Sequence, residues 1–408
     1  MSKKGLLAIL LLTSALVSGQ VDPYMAGRAF MSQKMYDSAA IYLEKALKVT
    51  SGDAEILFQL GISYFKGHNY PAAREAFYEV EKRRNGMGSY YLAKTEVKLS
   101  HSELALKYLR THLSSRYKKP EHVILLDEEL STLEDTKGWH QLWNEKKWYN
   151  SGDIDFQEAM FLKDNNNYLE AINLMNKLEK QGYKRSLIHT EKATIYKELG
   201  NVKASRSELR SAVKSDVRNL DAVQQLARIQ IEEGSGEEAV AALTRVIRQD
   251  PARFEAYILR AKARSLQRDL SGALEDMDLY LTYFPEDDDA IYKKGLIQYE
   301  NGKYLNAIQS FNLALSLDKG KAAYYFARGK TYASTGTNRY ADKDMAMALD
   351  LDPLNGEIWL EKGRLSEKLG DRIGACHCFH KAFQYGIYEA SEFLDNFCNG
   401  QDGNRKQP

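Results

Sequence analysis

The chain has 408 residues, 44% of them hydrophobic, and its 57 Lys and Arg against 56 Asp and Glu leave a net charge of +1. No half is strongly basic, which argues against a phosphate backbone as ligand, and no nucleic-acid partner is expected. Three cysteines are too few for a fold stabilised mainly by disulfides, so packed secondary structure must supply the stability.

The first residues read as an export signal. Lys3 and Lys4 precede an apolar run over residues 6–17, and Val17 and Gly19 stand at the −3 and −1 places of a cleavage site after Gly19. The run is short of the roughly 20 residues that span a bilayer, so a retained anchor is not expected. Residues 1–19 are therefore expected to be removed, with the mature chain in a periplasm, secretory lumen or extracellular space, soluble or peripheral to a membrane.

Residues 20–119 form a first block of helical hairpins. The first hairpin, 24–48, carries Gly27, Phe30, Ala39, Leu43 and Ala46, and the second carries Leu57, Leu60, Gly61, Tyr64, Ala73 and Phe77 about a turn at Gly67-His68-Asn69. A third, 89–112, has Ala93, Ala105 and Leu109. Over residues 120–151 the pattern degrades: 121–133 reads as one amphipathic helix and 138–149 as its partner, with Trp139 in the Ala slot, Trp143 in the large slot and Trp148 close behind them. Those rings either fill a joint between two repeat blocks or stand exposed as an interface for a partner.

From residue 152 to 387 the sequence is regular. Ala171, Ser205, Ala239, Ala273, Ala307, Ala341 and Ala375 follow one another at 34-residue steps. Ala159, Ala193, Ala227, Ala261, Gly295, Gly329 and Gly363 keep the same step upstream, and Met175, Leu209, Leu243, Met277, Phe311, Met345 and Phe379 keep it one helical turn downstream. Small residues at two slots let two helices approach closely, and the large slot fills the gap. Gly200, Gly234, Gly302, Gly336 and Gly370 mark the turn between helix A and helix B of each unit. Residues 388–408 complete the chain with a closing helix, whose Phe393, Leu394 and Phe397 share a face, and a polar tail.

This pattern resembles the tetratricopeptide repeat family, most plainly at residues 322–355 with Gly329, Tyr332, Ala341, Ala348 and Pro353. The resemblance implies an all-α solenoid, a right-handed superhelix of about eleven hairpins with a C-terminal capping helix, and it implies binding to a protein or peptide. In that family helix A lines a concave groove. The corresponding exposed places here hold acids at Glu55, Asp153, Asp221, Glu255, Asp289 and Glu357, and bases at Arg28, Lys94, Arg228, Lys262, Lys330 and Arg364. Either the two rows neutralise each other between hairpins, or they grip an extended peptide with apolar help from Phe58, Phe65, Tyr292, Tyr299 and Phe326.

No spacing for a nucleophile elbow, phosphate loop, paired-histidine zinc site or dinucleotide fold occurs, so no catalytic residue and no cofactor are expected. In Cys376-His377-Cys378-Phe379-His380 at most three ligands converge, short of a structural zinc set, and no metal is expected. One disulfide is open to the three cysteines, most plausibly Cys378 to Cys398, the alternative being buried thiols left unbridged. These readings converge on an exported scaffold that performs no chemistry. The alternatives are an accessory subunit of an envelope or secretion complex, and a carbohydrate-binding protein or enzyme.

Overall fold

A computed structural model describes residues 21–145 and 147–399. The leader with its cut after Gly19, and the polar tail beyond 399, lie outside the described residues, among which there is no β-strand. The chain divides into two compact units, at Ala256 and Tyr257.

The first unit opens with three hairpins: α1 (Pro23–Ser32) with α2 (Tyr36–Val49), α3 (Ala54–Lys66) with α4 (Tyr70–Arg83), and α5 (Ser89–Lys98) with α6 (Ser102–Leu113). An irregular stretch follows, made of α7 (Glu121–Leu125), a 3-10 helix (Glu128–Leu133) and α8 (Lys137–Asn144). Regular hairpins then resume with α9 (Ser151–Asp164) and α10 (Tyr168–Lys180), α11 (Arg185–Glu198) and α12 (Val202–Ser215), and α13 (Leu220–Glu232) and α14 (Gly236–Gln249). Each pair packs on itself most closely and then on its chain neighbour.

After α15 (Phe254–Leu266), which carries the chain across the boundary, the second unit continues through α16 (Leu270–Tyr283), α17 (Asp288–Glu300) with α18 (Tyr304–Leu317), α19 (Ala322–Ser334) with α20 (Asn338–Leu351), and α21 (Gly356–Lys368) with α22 (Arg372–Gln384). It closes with α23 (Ala390–Phe393) and a π-helical turn (Leu394–Asn399). Phe393, Leu394 and Phe397 cover Leu360, Phe379 and Ala382, with the Phe379 and Phe393 rings stacked at 4.6 Å, so the last apolar face is capped as the sequence predicts.

The repeated slots are core positions. All seven small residues from Ala171 to Ala375 and all seven large ones from Met175 to Phe379 are at most 2% exposed. The turn between the two helices of a hairpin needs a left-handed residue, and Gly200, Gly234, Gly302, Gly336 and Gly370 supply it at φ between +69° and +80°. The next residue caps helix B where it is Asn201 or Asp371, as Asp269 does after the left-handed Arg268, each side chain accepting from the N–H three positions on.

Two expectations need correction. The helix expected over 121–133 breaks after Leu125, because the Asp127 carboxylate accepts from the Glu129 N–H and from Lys94 Nζ of α5, starting a separate 3-10 turn there. The stretch is thus not a plain hairpin. The disulfide joins Cys376, not Cys378, to Cys398, with the Cα atoms 5.7 Å apart. Positions two apart on a helix point about 200° away from each other. The Cys378 thiol is buried in the repeat, and burial pushes its pKa up to about 11, while Cys376 faces the closing turn.

Candidate functional site

Helix A of each hairpin supplies the expected binding rows, and in the first unit those rows are largely consumed within the fold. Asp221 pairs with Arg253 at 2.6 Å, Arg228 pairs with Glu255, and Gln224 also donates to Glu255 at 2.7 Å. Arg28 donates to the Tyr24 hydroxyl at 2.8 Å, and Glu55 accepts from Gln59 at 2.7 Å.

Lys94 and Asp153 go further and are buried. Lys94 lies beneath the rings of Phe65, Tyr90 and Tyr91 and donates to Asp127 at 2.8 Å and to Glu129. Burial works against its charge, but hydrogen bonds to the two carboxylates hold its pKa above the usual lysine value. Asp153 takes Lys118 at 2.8 Å, the Tyr183 hydroxyl at 2.6 Å and the Asn150 N–H, which outweigh its burial and bring its pKa down to about 2.

The aromatic contacts expected of this block are also internal. Phe65 is 2% exposed, and Phe58 is half-buried against Phe77 and Tyr91. Lys94 and Phe65 are therefore removed from the set that a ligand can reach. Trp139 and Trp148 are buried, and Trp143 is half-buried against them, in a cluster with Leu109, Ile124, Leu133 and Leu142. The Trp148 indole N–H donates to the Leu142 carbonyl at 2.8 Å. The rings pack against the third hairpin and the irregular stretch itself, so Trp139 and Trp148 are not exposed for a partner.

In the second unit the rows are less neutralised. Arg364 pairs with Glu361 at 2.9 Å and with Glu389, and Asp289 with Lys293 at 2.5 Å. Lys262, Lys330 and Glu357 make no ion pair among the described residues. The Lys330 ammonium lies 5.5 Å from the Phe326 ring centre. Phe326 and Tyr299 are half-buried, the Tyr299 hydroxyl 3.2 Å from Ser334 Oγ on the next hairpin, whereas Tyr292 is held between Phe311 and Tyr324.

A second charged row escaped the sequence reading. Lys192, Arg260, Lys294, Arg328 and Lys362 stand at multiples of the 34-residue step, two places before the row of exposed bases, and each meets an acid on a helix B. Lys192 reaches Glu179 and Glu208, both at 2.9 Å. Arg260 meets Asp276 at 2.6 Å, Lys294 meets Asp278 at 2.6 Å, Arg328 meets Asp344 at 2.7 Å and Lys362 meets Asp342 at 2.7 Å. Asp276 and Asp344 are buried, so these pairs fix the register of helix A on helix B inside the repeat. Their spacing was visible; their burial was not.

Among the described residues no group of three or more His, Cys, Asp or Glu could hold a metal ion. Cys376 is taken by the disulfide, which leaves the histidines beside it without that ligand. No helix among these residues is long and apolar enough to cross a membrane.

Helical hairpins repeating every 34 residues, with small residues where the helices touch, define an α-solenoid. Models of the tetratricopeptide repeat match residues 24–89, 224–282 and 288–321, and the chain is a tetratricopeptide repeat protein. Among curated proteins it is similar to mouse "Tetratricopeptide repeat protein 16", 22% identical over 253 residues that cover 56% of this chain and 32% of that one. It is also similar to human "Superkiller complex protein 3", 27% identical over 156 residues, 37% of this chain and 10% of that one. The chain thus spans a third or less of the length of these relatives. Among solved structures, a tetratricopeptide repeat protein from Parabacteroides merdae superposes with a TM-score of 0.51 at 18% identity, over 61% of this chain and 99% of that one, which shows the shared fold. The fold suggests a scaffold for protein–protein interaction, and proteins of this class are typically not enzymes.

Proposed function

We infer that this is an exported scaffold that holds an extended segment of a partner protein along the helix-A row of its second unit. The observation that carries this reading is that Lys262 and Lys330 have no ion-pair partner among the described residues, where Asp289 and Arg364 of the same rows are paired, with the half-buried Phe326 beneath Lys330. Two ammonium groups at the same helix-A place of alternate hairpins favour a segment bearing carboxylates, and the Phe326 ring offers it an apolar edge. Partner capture from envelope or culture fluid with the full chain tests the reading. A partner retained by the wild type and lost with Lys262→Glu and Lys330→Glu together, at unchanged melting temperature, supports it. A protein that elutes alone under all gentle conditions counts against it.

Export is supported by the leader pattern and by a Cys376–Cys398 disulfide, a bond that persists in oxidising compartments. N-terminal sequencing of the mature protein should begin at Gln20, and its non-reduced mass should be lower by two hydrogens. A retained Met1, or free thiols at both positions, would contradict export.

A further inference from the structure

The irregular stretch leaves a neighbour uncovered. In the regular array each helix A lies beside another of similar length, but α7 stops after five residues and is too short to run along the face of α9 turned toward it. Between them opens a groove of about 420 Å³. Its floor and walls are Leu125 of α7 and Ile154, Met160 and Phe161 of α9. Phe161 is 63% exposed and Ile154 56% exposed, and Leu126 beside the mouth is 78% exposed. Ile154 and Phe161 stand seven positions apart on α9, two turns along one face, so together they make an apolar stripe that the fold does not use.

The rim has one sign. Glu121, Glu158 and Asp164 line the same groove. Glu121 and Glu158 have no ion pair among the described residues, and Asp164 has only Lys163 at 3.8 Å, which is itself held by Glu191 at 2.7 Å. The uncompensated acids decide what fits. A second copy seated symmetrically would set acid against acid, and an anionic membrane surface would be repelled. A helix with an apolar stripe satisfies the floor, and bases on the flanks of that stripe satisfy the rim.

We propose that the groove between α7 and α9 is a docking site for an amphipathic helix of a partner protein that carries Lys or Arg on both sides of its apolar stripe. The site is separate from the helix-A row of the second unit and takes a ligand of opposite charge, so the two can fail independently.

The test uses the full mature chain and a labelled synthetic helix of roughly 18 residues with Leu at i, i+4 and i+7 flanked by Lys, read by fluorescence anisotropy. A control peptide keeps the Leu positions and replaces Lys with Glu. The Lys peptide should bind at least about tenfold more tightly than the Glu peptide, and should weaken at about 0.5 M salt. Phe161→Ser with Ile154→Ser should weaken it by about tenfold or more, and Glu158→Lys with Glu121→Lys should reverse the preference between the peptides. Lys262→Glu with Lys330→Glu should leave it unchanged. Since the altered side chains are largely exposed, melting curves should stay unchanged and report that each variant is folded.

No saturable binding of the Lys peptide overturns the proposal, as does binding that ignores the Phe161 and Ile154 changes. Sedimentation that shows a dimer dissolved by Phe161→Ser would assign the groove to a second copy. Flotation with vesicles of mixed neutral and anionic lipid that is lost in the same variant would assign it to a membrane. Either result overturns the proposal.

Discussion

At Gly295 an added Cβ would lie 2.5 Å from Phe311 Cε1, and at Gly61 and Gly363 it would lie 2.6 Å from the same atom of Phe77 and Phe379. Where helix A carries Ala159, Ala193, Ala227 or Ala261, the facing slot holds Met175, Leu209, Leu243 or Met277. The two slots thus share one volume, and a Phe in the large slot always faces a Gly, although Gly27 and Gly329 face Leu43 and Met345. Gly295→Ala alone should cost about 2 kcal/mol through overpacking, and adding Phe311→Leu, which recreates the Ala227 and Leu243 pairing, should recover most of it. Urea denaturation of the single and double variants measures both, and simple additivity of the two costs would refute the coupling.

Hairpins are the next level, and their ends differ from their middles. An internal hairpin has a hairpin on each side; the last, α21 with α22, has on its outer side only α23 and the π turn, held by Phe393 and by the Cys376–Cys398 bond across 22 residues of chain. Replacing both cysteines with Ser should cost about 3 kcal/mol by the loop-closure argument. The loss should be local: hydrogen exchange should quicken first in residues 372–399 and leave residues 24–113 unchanged. Uniform loss of protection would show that the cap is not an independent element. Cys378→Ser leaves the bond intact and separates loss of packing from loss of the crosslink.

On the scale of the molecule, the 34-residue step makes one unit exchangeable for another. Removing residues 288–321 deletes α17 and α18 and joins Asp287 to Ala322, with every slot still in phase. The shortened chain should keep its helicity per residue, and its denaturant slope should fall roughly in proportion to the surface removed. Removal of a segment half as long should destroy cooperative unfolding from the cut onward. If both deletions behave alike, the phase of the repeat is not what holds the stack together.

Much of this architecture was legible in the chain. The small and large columns, the turn glycines and the closing Phe393, Leu394 and Phe397 depend on which face of a helix a position occupies, and helical period alone sets that. The binding rows were legible only as positions. Arg228 and Lys262 stand in the same place of successive units, yet Arg228 meets Glu255 and Lys262 makes no ion pair among the described residues. Phe65 and Phe326 both read as aromatic groove contacts, and only Phe326 keeps an accessible edge.

The amino-acid order determined by itself that paired helices recur every 34 residues and which of their faces are apolar, because burial follows local periodicity. Folding alone decided that Cys376 reaches Cys398, that Lys94 is enclosed by rings and carboxylates, and that α7 is too short to cover Phe161. Those outcomes depend on where long side chains and helix ends meet across elements distant in sequence, and on a single break at Asp127, which no repeat period encodes.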